Sequence, residues 1–192
     1  MTNIIKHNRF LNRFDVADMM SGRRMILSGI GEGIEVVVST DSKGAESPNK
    51  IQQAVRMIFP DVEFYEASEP LFGKSNTYQF TWNNVSMSVF LQKIHEQRIL
   101  DTALDSMTKD FEHPTASFSI SRQAASMGKI SFPIPDDYPL GGLIHIQLKG
   151  ENVVDWIQSA TWHEGREHFP RFAHDDNGMT DAGDSRVWYD SR

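Results

Sequence analysis

Apolar positions change period along the chain, and the changes mark elements. Residues 25–40 alternate and then run apolar as Ile34-Glu-Val-Val-Val-Ser-Thr40 behind Gly29, Gly31 and Gly33, which predicts a strand entered from a turn. A polar loop is expected over 41–46. Ser47 then offers an N-cap with Pro48 at the first helical position, and Ile51, Val55 and Ile58 give one apolar face before Pro60 stops the helix. Residues 61–68 and 77–82 alternate in the β sense and are expected to pair as antiparallel neighbours. From 85 to 107 the period becomes helical, with Phe90, Leu91 and Ile94 out of phase with Leu100, Leu104 and Met107, so a break is expected near Glu96. Residues 115–121 and 129–134 read as a hairpin connected through 122–128. A further strand is predicted over 143–148 and a short helix from Asn152 to Ile157.

This pattern predicts an α+β domain, helices packed on one face of a mainly antiparallel sheet. The expected boundaries are an N-terminal extension over 1–33, a domain over 34–158 and an acidic C-terminal tail over 159–192. In the extension, Phe10, Leu11, Phe14, Val16, Met19 and Met20 recur at roughly helical spacing in a basic background. Two uses are open for that amphipathic helix: packing on the domain or a second subunit, or RNA contact through Arg9, Arg13, Arg23 and Arg24.

The 192 residues are 39% hydrophobic, enough for one buried core. No apolar run reaches the roughly 18 residues needed to span a bilayer, and the N-terminus has no continuous apolar stretch before a cleavage pattern. A protein with no membrane association, resident in the cytoplasm, is therefore expected. Zero cysteines remove disulfides, thiolate zinc sites and a cysteine nucleophile. The net charge of -7 opposes general phosphate binding, and the imbalance is local: residues 34–158 carry 10 Lys/Arg against 16 Asp/Glu, whereas residues 1–24 carry 5 against 2. Any RNA ligand needs a local basic patch. The acidity otherwise serves solubility, or a salt-rich cytoplasm.

Three stretches stand in a recognisable order: Gln97-Arg-Ile-Leu-Asp-Thr-Ala103, then Phe118-Ser-Ile-Ser-Arg-Gln-Ala-Ala-Ser-Met-Gly-Lys-Ile-Ser-Phe132, then Pro139-Leu140-Gly141. With Ser47-Pro48-Asn49-Lys50 and Phe59-Pro60-Asp61, they resemble the uncharacterised archaeal protein family 0201 over roughly residues 34–157. Members of that family are described as RNA-binding domain proteins, similar in fold to the 5S-rRNA-binding ribosomal protein. The resemblance implies that fold, and a non-catalytic RNA-binding function linked to the ribosome or RNA metabolism, with a homodimer as the assembly. Leu104 stands where the family has Arg, and Ser121-Arg122 replaces its Asn-Lys, so one cation is lost and one retained.

The candidate RNA-binding residues are Arg122, Gln123, Lys129, Arg98, Arg23 and Arg24. Arg122 and Lys129 flank a small-residue loop in which Arg can fork phosphate oxygens and Gln can read an edge. The alternatives are that Gln123 caps loop backbone, that Arg122 pairs with Asp101 or another acid, and that Arg98 and Asp101 form an i, i+3 salt bridge. His163-Glu-Gly-Arg-Glu-His168 misses the zincin spacing by one residue, leaving a loop site with His174 as the remaining metal arrangement. No metal, cofactor or catalytic residue is expected. The competing function is a homodimeric protein-interaction module, built on an exposed sheet or the N-terminal helix, that binds no nucleic acid.

Overall fold

The computed structural model describes residues 27–71, 77–134 and 139–173. The expected N-terminal helix, Arg23, Arg24, His174 and the end of the chain lie outside those residues. Five strands, β1 (Glu35–Ser42), β2 (Tyr78–Asn83), β3 (Asp110–Glu112), β4 (Thr115–Ser121) and β5 (Leu143–Lys149), form one antiparallel sheet in the order β2-β1-β5-β4-β3. The helices are α1 (Pro48–Arg56), α2 (Ser88–Gln97), α3 (Leu100–Thr108), α4 (Arg122–Ser126) and α5 (Val153–Ala160).

Strict alternation along β1 buries Val36, Val38, Thr40 and Ser42 while Glu35, Val37, Ser39 and Asp41 face outward. The same period in β4 and β5 turns Ala116, Phe118, Ile120, Ile144, Ile146 and Leu148 to one side. The apolar faces of the helices close over that side. Ile51 and Val55 of α1, Phe90 and Ile94 of α2, Leu104 and Met107 of α3, and Ile157 of α5 complete one core. The expected α+β architecture is observed.

Local chemistry sets the helix ends. The Ser47 hydroxyl accepts the Lys50 amide at 3.4 Å and Pro48 opens α1. Helical bonding continues past Arg56 to Phe59, whose amide reaches the Val55 carbonyl at 2.9 Å, and Pro60 follows. The break expected near Glu96 falls at Arg98, in the left-handed region at φ 57°.

Two expected strands are absent. Residues 61–68 form no strand, because side chains satisfy their backbone: the Gln52 amide bonds both the N–H and the C=O of Tyr65, and the Trp82 indole donates to the Glu63 carbonyl at 2.7 Å. β2 instead pairs with β1. Residues 129–134 likewise form no strand. The Gln97 amide clamps both backbone groups of Ile130, Pro133 has no N–H, and β4 finds its neighbours in β3 and β5. The expected connection 122–128 is mostly the short helix α4, N-capped by the Ser121 hydroxyl.

At the C-terminal end the boundary drawn at 158 falls within α5. The described residues beyond it lie against α3, with a 3-10 turn at Glu164–Glu167. Among the described residues no helix is long and apolar enough to cross a membrane.

Candidate nucleic-acid interface

Two corners of the domain hold the sequence candidates. The first lies at the end of the sheet where the start of α1, the start of α4 and residues 139–142 converge. Those stretches are three of those that carry the family resemblance. Arg122 follows the Ser121 cap, so its side chain enters the domain instead of solvent, and it is buried. Its guanidinium donates to the Thr40 hydroxyl at 3.1 Å, to the Asp41 carbonyl at 2.5 Å and to the Glu46 carboxylate.

Thr40 in turn donates to the Leu143 carbonyl at 2.7 Å. The Arg122 amide binds the Gly142 carbonyl, and a Cβ on Gly142 would stand 2.8 Å from the guanidinium. Glycine is thus required there twice over, by the close approach and by φ +75°. The partner of Arg122 is Glu46 and not Asp101, and its guanidinium and amide tie β1, the loop at Glu46 and residue 142 to the start of α4. Gln123, the next residue, is exposed.

The second corner is the end of α2. Gln97 reaches across to Ile130, fixing the exit of α4 beside α2. On either side of that clamp stand Arg98 and Lys129, both exposed. One turn earlier on α2, the Lys93 ammonium lies over Gly128, 3.5 Å from where a Cβ would sit. Among the described residues no acid is within ion-pair distance of Lys93, Arg98 or Lys129. Lys93 carries no local signal in the sequence. It lies four residues before Gln97, on the side of α2 facing 128–130, and only that tertiary contact brings it to the site.

The i, i+3 bridge expected between Arg98 and Asp101 is not formed. Asp101 is taken by the C-terminal segment: Arg166 Nε donates to its Oδ1 at 2.9 Å, and His163 Nε2 lies 3.1 Å from the same oxygen. Burial pushes the Asp101 carboxyl up, but the hydrogen bonds and charges of His163 and Arg166 outweigh it and hold the carboxyl below its ordinary value of 3.8. One turn along α3, Asp105 accepts from Arg171 at 2.5 Å. Among the described residues no three His, Asp or Glu side chains are grouped to hold a metal ion.

A trough of about 770 Å³ is lined by outward positions of the sheet together with Asp105, Ser106, Lys109 and Asp110 at the end of α3 and residues 132–134. Its central positions are Val37, Ser39, Ser117, Ser119, His145 and Gln147. Ser119 and His145 are cross-strand partners, with Oγ and Nδ1 2.8 Å apart. Its strand positions are hydroxyl and amide in chemistry, with Asp105, Lys109 and Asp110 at the α3 margin, whereas Lys93, Arg98 and Lys129 lie at the α2 corner.

No protein-family model matches the chain. It is 29% identical over 134 residues to the UPF0201 protein of Sulfurisphaera tokodaii, covering 66% of this chain and 88% of that relative. The UPF0201 protein of Metallosphaera sedula gives 29% over 130 residues with the same coverage. A UPF0200/UPF0201 protein of Archaeoglobus fulgidus is 28% identical over 116 residues, which is 60% of this chain but 33% of that longer protein. The crystal structure of the UPF0201 protein from Methanococcus jannaschii superposes with a TM-score of 0.55 at 21% identity, over 68% of this chain and 96% of the other, and so shares the fold. The chain is thus similar in sequence to archaeal UPF0201 proteins and shares their α+β fold.

Proposed function

We propose that the protein is a non-catalytic RNA-binding protein that contacts phosphates through Arg98, Lys129 and Lys93, with Gln123 at the margin. The observation that carries this reading is Arg98. A left-handed residue that closes a helix is most often glycine, because any Cβ is crowded there, at a cost on the order of 1 kcal/mol. Arginine occupies the position here, exposed and without an acidic partner among the described residues. A strained backbone carrying an unneutralised guanidinium points to a use for that side chain.

The chain's negative charge makes the grouping more telling. Three cations without an acidic partner among the described residues, set around the Gln97 clamp, form the local patch that phosphate binding requires. Arg122 supports the surface from beneath: it fixes α4 between β1 and residues 139–142, and so sets where Gln123 and Lys129 emerge.

The test is fluorescence anisotropy of the full chain with a labelled ribosomal RNA fragment across a salt series. Three phosphate contacts predict a slope of log affinity against log salt of about -2 to -2.7. A salt-independent signal, or none, refutes the reading.

A second reading is a homodimeric protein-interaction module. The outward sheet positions favour it, since they present hydroxyls, an amide and Val37, with charged residues at the α3 margin of the trough. Light scattering at micromolar concentration distinguishes a dimer from a monomer. A Val37→Lys variant that turns a dimer into a monomer assigns the interface to that face.

A further inference from the structure

We infer that the C-terminal segment 161–171 controls the RNA surface by holding Asp101 away from Arg98; this rests on the RNA-binding reading above. The observations concern one carboxylate and three competitors. Asp101 accepts from Arg166 and faces His163, both contributed by residues that follow α5. Arg98 is three residues away in sequence, so the two Cα atoms are separated by at most about 11 Å, a gap that an arginine and an aspartate span together. Glu96, two residues before Arg98, accepts from the Gln92 amide at 2.7 Å within α2, so the carboxylate engaged by the C-terminal segment is the acid within reach of Arg98 on the α3 side of the junction.

What attaches this segment is polar. Arg166 is buried and also donates to the Leu100 carbonyl and the Thr161 hydroxyl, both at 3.4 Å. Arg171 binds Asp105 one turn further along α3. The aromatic residues nearby contribute little burial: Trp162 is 47% exposed, Phe169 82% and Phe172 59%. A strap held by charged hydrogen bonds detaches when those bonds are lost, because little apolar surface resists it.

Detachment then has an electrostatic consequence. Asp101 is left with no partner, and Arg98 meets it within the same helix junction. A guanidinium paired with a carboxylate no longer releases a counterion from RNA, so one phosphate contact disappears. A ligand or chain that captured Arg166 would switch the RNA surface off.

Two full-chain variants release the strap with opposite results for RNA. Arg166→Gln leaves the Asp101 carboxylate in place, whereas Asp101→Asn removes it. Tryptic cleavage after Arg171, and hydrogen exchange of the Phe169 amide that bonds the Gly165 carbonyl, report release in each, with a cooperative melt as the check on folding. Both variants should expose the segment at least about tenfold faster than the parent. Arg166→Gln should bind the ribosomal RNA fragment about three- to tenfold more weakly, its salt slope flatter by about 0.7–0.9. Asp101→Asn should bind at least as tightly as the parent.

If Arg166→Gln fails to fold, Asp101→Asn alone decides, because weaker binding by that variant overturns the inference. Equal RNA affinity in Arg166→Gln and the parent, with the strap released, also overturns it. So does a strap that stays protected in both variants. Absence of RNA binding by the parent instead refutes the functional reading on which the inference rests.

Discussion

Arg98 and Arg122 both lie in stretches that resemble the same family, both follow the end of an element, and their surroundings are opposite. Arg122 opens a helix and turns inward onto Thr40, Asp41 and Glu46. Arg98 closes a helix in a left-handed conformation and is exposed, with Asp101, three residues on, held by another segment. A cation at a conserved-looking motif can thus be a tie or a contact, and the capping geometry beside it decides which. An arginine after an N-cap serine starts a helix whose first turn here packs on the sheet. An arginine at a left-handed C-cap leaves the helix axis and meets solvent.

The comparison breaks most visibly at the tie. Arg122→Ala leaves the Glu46 carboxylate and the Thr40 hydroxyl without their donor, and loss of one partner of a largely buried pair costs about 3 kcal/mol. Chemical denaturation should show that loss, and a variant within about 0.5 kcal/mol of the parent would remove Arg122 from its structural role. Gly142→Ala attacks the same corner from the other side, with a Cβ 2.8 Å from the guanidinium at φ +75°. A destabilisation of about 2 kcal/mol is expected there, from overpacking and backbone strain together. Any loss of RNA affinity in these variants should come through displacement of α4, and with it Gln123 and Lys129, since the buried Arg122 guanidinium itself contacts no phosphate.

The pattern of residues made much of this legible. The alternation of β1, β4 and β5, the Ser47-Pro48 start of α1 and the phase shift between α2 and α3 all follow from local rules, and each is present. Residues 61–68 and 129–134 misled because alternation signals an extended backbone and not a ladder. Their backbone groups are taken by Gln52, Trp82 and Gln97, side chains distant in sequence. The same limit applies at the site. Arg98, Lys129 and Gln123 were legible as surface candidates, whereas the Glu46 partner of Arg122, the position of Lys93 and the capture of Asp101 by Arg166 are tertiary events.

Acid sharpens the contrast, because the α3 corner depends on a carboxylate whose folded value is lowered. Such a group contributes stability above its unfolded value and loses it as pH falls through the folded one. Attachment of residues 161–171 should therefore be complete at neutral pH and weaken progressively below about pH 3.8. Protection of the Phe169 amide across a pH series checks this, and protection unchanged down to pH 2 would contradict it.

The smallest effect on the fold is expected at the contact side. Lys93→Ala with Lys129→Ala removes a half-buried and an exposed cation that lack acidic partners among the described residues, so the loss of stability should be small, within about 1 kcal/mol. The salt slope of RNA binding should fall by about 0.7–0.9 for each lysine. A stability loss without a change in slope would mean that the two lysines support the fold instead.

The measurement that bears most directly on the account is the stability and RNA affinity of Arg98→Gly, taken together. Glycine relieves the left-handed strain, so the domain should become more stable by up to about 1 kcal/mol. Binding to the ribosomal RNA fragment should weaken at the same time, with a salt slope flatter by about 0.7–0.9. A more stable variant that binds RNA as tightly as the parent, with the same slope, would contradict the assignment of Arg98 to phosphate contact.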